Sequence, residues 1–208
     1  GKVHRYGVLT NTGTTSKRVA EKHAFQLSTD RLEDLLTEKD NVWFIATRHD
    51  THAGFVIKGL EHGKHVFVEK PLCLTYEELE QIADLKRKAK TAVMVGFNRR
   101  FAPLTTKLKK QLPEGPMSMI YRVNAGAIPK DSWIQDLETG GGRIIGEACH
   151  FIDYMTHLNG SLPVSLSATA LPDPEGLNDT VNILIEFSNG STGVVAYYAN
   201  GAKSLPKE

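Results

Sequence analysis

In the first half of the chain, segments with the apolar pattern of strands alternate with segments whose apolar residues are spaced as in helices. Short apolar runs typical of strands occupy residues 6–11, 42–47, 65–70 and 92–97. Apolar residues at helical spacing occupy residues 16–25, 30–39, 51–63 and 75–91. This order predicts parallel βαβ units whose helices cover both faces of the sheet. The pattern therefore predicts a doubly wound α/β domain.

Residues typical of helix ends support these boundaries. Ser16 stands where an N-cap is expected, Asp30 stands near the start of the second helix, and Gly63 stands where the third helix should end. Thr75, followed three residues later by Glu78, predicts a capping box at the start of the fourth helix.

The second half of the chain has a different pattern. Proline and glycine at residues 112–116 indicate a domain boundary, so we assign 1–115 to a partial dinucleotide-binding domain and 116–208 to an α+β domain. A strand is expected at 117–126 and a helix at 144–158, and β-rich runs at 164–171 and 180–199 include a hairpin turn at 188–191. One helix beside these runs predicts a largely antiparallel sheet.

Composition excludes several classes of protein. The 208 residues include 25 basic and 24 acidic side chains, giving a net charge of +1 with no basic patch for nucleic acid or an anionic membrane. No apolar run approaches the roughly 20 residues of a membrane span, and no leader pattern is found. Cys73 and Cys149 are too few for a disulfide scaffold and predict free thiols. We therefore expect a cytoplasmic protein.

Polar residues follow each of the four predicted strands, in the segments TNTGTTS, TRHDTH, EKP and NRRF. Loops at strand ends are usually polar, so one such segment indicates little. Carboxyl ends of parallel strands meet at one edge of the sheet, where ligands bind, so four converging segments indicate a site. The candidate cofactor-binding residues on them are Asn11, Thr12, Thr47, His49, His52, Glu69, Lys70 and Asn98.

The glycine pattern that opens a dinucleotide-binding sheet, G-x-G-x-x-G, does not occur in this sequence. We therefore expect the first predicted strand to be the second strand of a Rossmann sheet, with the first strand and its phosphate-binding turn preceding residue 1. Because that turn supplies the amides and helix dipole that hold a pyrophosphate, we expect weak or absent dinucleotide binding by this chain alone. An uncovered strand edge favours association, so we expect a homo-oligomer.

Three ordered segments resemble the Gfo/Idh/MocA oxidoreductase family: VWFIATRHDTHAGFVIKGLEHGKHVFVEKPLCLTYEELEQIA, VGFNRRFAP and GGGRIIGEACHFIDYMTHLNG. The likeness is greatest to the MocA-like half of bi-domain oxidoreductases, in which it follows a zinc-type alcohol dehydrogenase-like half. The resemblance implies an incomplete Rossmann domain followed by a substrate and oligomerisation domain. It also implies an NAD- or NADP-dependent oxidoreductase acting on a sugar, sugar-nucleotide or polyol hydroxyl or ketone.

The resemblance also implies roles for particular residues. Lys70 of the EKP segment is expected near nicotinamide and substrate, the bond to Pro71 is expected to be cis, and His150 is expected to transfer a proton. Such a reaction needs a base for the hydroxyl proton and a cation for the developing oxyanion, which His150 and Lys70 can provide. Glu69 is expected either to pair with Lys70 or to bind the cofactor. The predicted substrate-binding residues are Arg100, Arg122, Asn124, Trp133 and His150. The resemblance supports only His150 among them, and the other four are chosen because they stand at strand ends or on strands expected to face the cleft.

One position departs from the family pattern. Alignment of GGGRIIGEACH with G-G-x-x-x-D-x-G-x-H places Gly146 where an aspartate is usual and Ala148 where a glycine is usual. The side chain of Glu147 is turned about 100° away along a helix, so its ability to substitute stays open. This departure leaves a catalytically silent sugar-binding or scaffolding module as an alternative.

Two further questions concern ligands. Thr10, Asn11 and Thr12, followed by Lys17 and Arg18, suit a 2′-phosphate or either cofactor, and the two cations equally suit a solvated helix face. A metal site is a rival hypothesis because His, Glu and Asp residues recur at helical spacing. This fold does not supply the facing helices that such a site needs, so no metal is predicted. The residues concerned are His49, His52, His62, His65, Glu147, His150, Asp153 and His157.

Overall fold

The computed structural model describes residues 3–173, 176–202 and 204–208. In the first half, the strands are β1 (Gly7–Leu9), β2 (Leu27–Thr29), β3 (Val42–Ile45), β4 (His65–Val68) and β5 (Val93–Val95). The helices are α1 (Gly13–His23), α2 (His49–Glu61), α3 (Tyr76–Lys88) and α4 (Pro103–Lys109). Short 3₁₀ turns occupy Leu32–Leu35 and Asn98–Phe101. Across the described part of the chain, no helix has the length and apolar character needed to cross a bilayer.

The strands of the first half form two parallel sheets. β1 pairs with β2, and β4 lies between β3 and β5. Within the described ranges, no strand joins β1 to β3, so the continuous doubly wound sheet predicted from the sequence is divided at this point. The parallel pairing and the βαβ order agree with the predicted Rossmann-type α/β class.

Helices α2 and α3 cover one face of the three-stranded sheet. Ile45, Val66 and Val68 point from the strands into a cluster with Val56 of α2 and Ile82 of α3. Burying such a side chain contributes about 1.5–3 kcal/mol relative to its exposure, so this cluster fixes the helices on the sheet.

The opposite face of that sheet is exposed among the described residues, which corrects the prediction that both faces are covered. Phe44, Phe67 and Met94 lie in register across β3, β4 and β5, and Phe44 is 72% and Met94 46% exposed. The apolar run at 42–47 is therefore not a fully buried strand. Both sides of such a strand are apolar in sequence, but the described helices pack on only one of them.

Helix boundaries follow the local signals with two exceptions. The capping box of Thr75 and Glu78 is confirmed, whereas α1 is capped by Thr12 rather than Ser16. The helix predicted at residues 30–39 is wrong, because only the 3₁₀ turn at Leu32–Leu35 forms there. The strand Leu27–Thr29 just before it was not predicted, since three residues carry too little periodicity to identify.

The second half contains a four-stranded sheet with one long helix. The strands are β6 (Ser118–Asn124), β7 (Pro163–Ala170), β8 (Val181–Phe187) and β9 (Thr192–Tyr198), in the order β6-β9-β8-β7. Pairings of β7 with β8 and of β8 with β9 are antiparallel, and β6 is parallel to β9. Helix α5 (Cys149–Asn159), which continues from a π-helical turn at Ile144–Ala148, buries Phe151 and Met155 against the sheet.

Candidate active site

The EKP segment leaves the end of β4 and reaches the second domain. The Lys70–Pro71 peptide bond is cis. The Lys70 ammonium donates a hydrogen bond of 2.6 Å to the carbonyl oxygen of Gly146, in the π-helical turn before α5. On the other side, the buried His52 imidazole places Nδ1 2.7 Å from the carbonyl oxygen of Pro71 and Nε2 3.2 Å from that of Thr47. His52 therefore supports the segment that carries Lys70.

His150 lies one turn beyond Gly146 on the same continuous helix. It is 7% exposed, its Nδ1 is buried without a hydrogen-bond partner among the described residues, and its ring lies 6.0 Å from the ring of Phe97. Burial, followed by the positive charges of Lys70 and Arg99, lowers the pKa of His150 to about 4. His150 is therefore neutral at pH 7 and can accept a hydrogen bond or a proton.

Replacing His150 by glutamine is expected to reduce the acid sensitivity of folding. As the pH falls below about 6.5, the unfolded chain binds a proton at His150 that the folded chain binds only near pH 4. The wild-type protein therefore loses about 2 kcal/mol of stability from this residue between pH 7 and pH 5. Urea unfolding at both pH values measures the difference.

The exposed His62, at the end of α2, provides the control for that experiment. The variant His62→Gln should keep the wild-type loss of stability between pH 7 and pH 5. An equal loss in His150→Gln and wild type would show that His150 is not held neutral by the fold.

A second imidazole, that of His49, lies next to Gly146. Its Nδ1 lies 2.8 Å from the carbonyl oxygen of Gly140, and its ring meets Trp133 edge-on at 4.8 Å between centroids. The guanidinium of Arg48 lies 5.7 Å from the Trp133 ring. A Cβ atom at position 140 would lie 2.4 Å from the carbonyl oxygen of Trp133, so only glycine allows this approach.

The glycine turn also docks the start of α2. The amide of Asp50 donates to the carbonyl oxygen of Thr139 at 3.1 Å, next to the contact between His49 and Gly140. The TRHDTH segment of the first domain and the TGGG turn of the second are therefore held together by main-chain and side-chain hydrogen bonds.

Glu147 does not replace the aspartate that is absent at Gly146. Its carboxylate accepts hydrogen bonds from Tyr197 and Lys207, and Arg143 lies 3.5 Å from it. Burial raises the pKa of Glu147, but the hydrogen bonds from Lys207 and Tyr197 outweigh burial and lower it overall. The Glu147 carboxylate is therefore ionised, and its hydrogen bonds hold it on the side of its helix that faces the sheet.

The predicted cofactor residues occupy the carboxyl edge of the two parallel sheets. Thr12 caps α1, and Asn11 beside it is exposed. Asn98 is exposed at the start of its 3₁₀ turn, and the Thr47 hydroxyl accepts a hydrogen bond from Thr51 at 2.6 Å. Lys17 and Arg18 are exposed on α1.

Glu69 does not pair with Lys70. Its carboxylate lies over Gly96, where an added Cβ would be 3.0 Å from Oε2. The contacts of residues 3–173, 176–202 and 204–208 include no hydrogen bond or ion pair for this carboxylate. An unpaired anion at the sheet edge is thus left available to a ligand.

The predicted substrate residues divide into two groups. Trp133 and His150 lie with Lys70 around Gly146, whereas Arg100 is held by Asp153, with its Nε 2.7 Å from Oδ2. Arg122 is exposed on the sheet face opposite α5, since its neighbour Val123 faces the core. The Asn124 amide donates to the carbonyl oxygens of Ala202 and Leu205. The structure therefore does not bring these two β6 residues to Lys70.

Sequence reasoning missed the residues that act through the main chain. The carbonyl oxygens of Gly140 and Gly146 accept hydrogen bonds from His49 and Lys70, and the GGG run at 140–142 was a signal for Gly140 but not for Gly146. Cys149 lies beside the Lys70 charge, and burial raises the pKa of its thiol to about 11, so it is protonated at neutral pH. Among the described residues, no three His, Cys, Asp or Glu side chains are grouped as metal ligands.

Two family models cover most of the chain. Residues 3–97 match the NAD-binding Rossmann-fold model of the Gfo/Idh/MocA oxidoreductase family, and residues 117–204 match a C-terminal domain model of the same family. The fold and these matches lead to one assignment: the chain belongs to the Gfo/Idh/MocA oxidoreductase family.

Individual relatives agree with this assignment. The chain is 29% identical over 159 residues to an inositol 2-dehydrogenase of Rhizobium meliloti, a match covering 73% of this chain and 48% of the relative. It is 28% identical over 210 residues to a levoglucosan dehydrogenase of Pseudarthrobacter phenanthrenivorans, covering 85% and 54%. A solved levoglucosan dehydrogenase in complex with NADH and levoglucosan superposes with a TM-score of 0.83 at 25% identity, covering 96% of this chain and 59% of that one. The chain thus spans about half the length of these relatives.

Proposed function

We propose that the protein containing this chain is a nicotinamide-dependent dehydrogenase that oxidises a hydroxyl of a sugar or cyclic polyol, or reduces the matching ketone. The observation that carries the proposal is the hydrogen bond between Lys70 of the first domain and Gly146, one turn before His150 in the second. A cation and a neutral imidazole are the groups that movement of a hydroxyl proton requires.

Lys70 and His150 have complementary roles in this proposal. When a substrate hydroxyl loses its proton, the Lys70 ammonium stabilises the negative oxygen. The neutral His150 accepts that proton, and its burial keeps competing water away from the reacting oxygen. The charge of Lys70 also lowers the pKa of His150, so Lys70 helps to keep His150 neutral and able to accept the proton.

The residues at the sheet edge fit the reactive end of a nicotinamide cofactor. Glu69 presents a carboxylate with no partner among the described residues, and Lys70 follows it directly. These two residues would hold the nicotinamide side of the cofactor, which when bound accepts the hydride from the substrate carbon. No glycine-rich phosphate turn follows β1, so we propose that this chain alone binds the dinucleotide weakly.

Two observations support a sugar or polyol as substrate. The names of the relatives include an inositol and a levoglucosan dehydrogenase. Trp133 and His49 form an aromatic wall beside Lys70, and such a wall offers an apolar ring face next to groups that hydrogen-bond hydroxyls.

We also propose that the protein is a homo-oligomer that associates through the outer face of its second sheet. Ile120, Val194 and Leu184 lie in register across β6, β9 and β8 on the face opposite α5. Ile120 is 79% exposed, and an apolar row on an uncovered sheet is typical of an interface between subunits.

The test uses the complete protein that contains this chain. Titrations with NADH and with NADPH, followed by cofactor fluorescence, are expected to give at least one dissociation constant in the micromolar range. Turnover is then measured with myo-inositol, scyllo-inositol and levoglucosan, using the cofactor that binds. A protein that binds a sugar but neither nucleotide would contradict the proposal and favour the silent module that the glycine at position 146 suggests.

A further inference from the structure

Gly146 lies against His49, whose imidazole is the group that a side chain at position 146 would meet first. A Cβ atom at position 146 would lie 3.1 Å from Cε1 and 3.4 Å from Nδ1 of His49. Any side chain at position 146 would therefore project against the imidazole. Gly146 and His49 come from different domains and are 97 positions apart (146 minus 49), so their proximity is a property of the fold.

The tautomer of His49 follows from its hydrogen bond. The carbonyl oxygen of Gly140 can only accept, so Nδ1 of His49 carries the proton. In the neutral ring Nε2 then has a free lone pair. Among the described residues, nothing makes a hydrogen bond to Nε2, so this acceptor is left for a ligand.

We propose that His49 is a specificity-determining residue that accepts a hydrogen bond from a substrate hydroxyl through Nε2, in the place of the carboxylate that Gly146 lacks. The ligand class is a ring polyol with a second hydroxyl near the reacting one. This inference rests on the proposed dehydrogenase function and deepens it. The contact transfers no proton, so His150 keeps the role of proton acceptor.

The charges around His49 favour this role. Burial lowers its pKa and the charges of Lys70 and His52 lower it further, while the hydrogen bond to Gly140 and the charge of Asp50 act in the opposite direction. The net effect is to keep the imidazole neutral, as an acceptor must be. Trp133 packs edge-on against the ring and limits its rotation, so the acceptor is held in one orientation.

An exchange of side chains tests the inference in the complete protein. His49→Ala should lower kcat/KM for the best of the three polyols by about tenfold to a hundredfold, since a lost hydrogen bond to a bound hydroxyl has this size of effect. Gly146→Asp in the His49→Ala background should restore at least tenfold, because a carboxylate then replaces the imidazole as acceptor. His62→Ala, an exposed histidine at the end of the same helix, is the matched control.

Further measurements distinguish a misfolded variant, a wrong role for His49 and a wrong proposed function. The melting temperature should be unchanged in His49→Ala, which excludes misfolding. Nitrogen NMR of labelled histidine should show the proton on Nδ1 of His49 in the wild-type protein. The inference is overturned if His49→Ala stays within twofold of wild type, if the double variant is no better than the single one, or if Nε2 carries the proton. A wild-type protein that binds no nicotinamide nucleotide would instead overturn the proposed function, and this inference with it.

Discussion

The variant Lys70→Met is expected to oxidise the polyol substrate about a thousandfold more slowly than the wild-type protein, measured as kcat/KM. Methionine keeps most of the length of the side chain but removes the ammonium that donates to the Gly146 carbonyl oxygen and that, in the proposed mechanism, stabilises the reacting oxygen. Loss of one group that stabilises a developing oxyanion costs about 10²–10³ in rate, and the loss of a full charge lies at the upper end.

Two readouts distinguish this role from a structural one. Removing the Lys70 charge should raise the pKa of His150, because that charge follows only burial among the causes that lower it. Lys88→Met, at an exposed position at the end of α3, should leave both kcat/KM and the pKa of His150 unchanged. If Lys70→Met retained a tenth of wild-type activity, Lys70 could not be the group that holds the oxyanion.

The α2–β4–α3 region was predictable from the sequence because its signals are local. Apolar spacing identifies the strands and helices, and Thr75 with Glu78 marks a helix start wherever the rest of the chain lies. The hydroxyl and carboxylate that satisfy the first amides of α3 are only three residues apart, so no tertiary contact decides the outcome.

Contacts between residues that are distant in the sequence could not be predicted in the same way. Arg100, a predicted substrate residue, binds Asp153, which lies 53 positions away in the sequence. Glu147 was a candidate for the missing acid, but the partners that hold it, Tyr197 and Lys207, are 50 and 60 positions distant. Which partner a charged side chain finds depends on the packed geometry of both domains, and single-sequence patterns do not contain that geometry.

The proximity of His49 to Gly146 has the same origin. The glycine at position 146 appears in the sequence only as a missing carboxylate, and His49 only as one polar residue among several at a strand end. The fold places position 146, where the carboxylate is missing, against the imidazole of His49. The glycine at 146 and the histidine at 49 can therefore be interpreted together. The sequence therefore indicated the strand ends at which a site was to be sought, but not how His49 and Gly146 lie within it.

The ion pair between Arg100 and Asp153 is expected to contribute strongly to stability, because one of its partners is buried. The Asp153 side chain is 6% exposed and that of Arg100 is 37% exposed, and the guanidinium meets the carboxylate through two nitrogens. Arg100→Met would leave a buried carboxylate without its counter-ion. Removal of one partner of a buried pair costs about 3–5 kcal/mol, and the partial exposure of Arg100 places the expected loss near 3 kcal/mol.

Urea unfolding of Arg100→Met, Asp153→Leu and the double variant measures this contribution. The double variant should be more stable than Arg100→Met, since it removes the unpaired buried charge as well. Arg31→Met, which breaks the solvent-exposed pair with Asp34, is the matched control and should change stability far less than Arg100→Met does. Because the pair joins the turn after β5 to α5, Arg100→Met should also loosen the helix that carries His150, and hydrogen exchange at the amides of α5 should rise. Unfolding of Arg100→Met within 0.5 kcal/mol of wild type, a threshold set by the usual spread of surface substitutions, would show that water replaces the guanidinium and that the pair does not hold the two domains together.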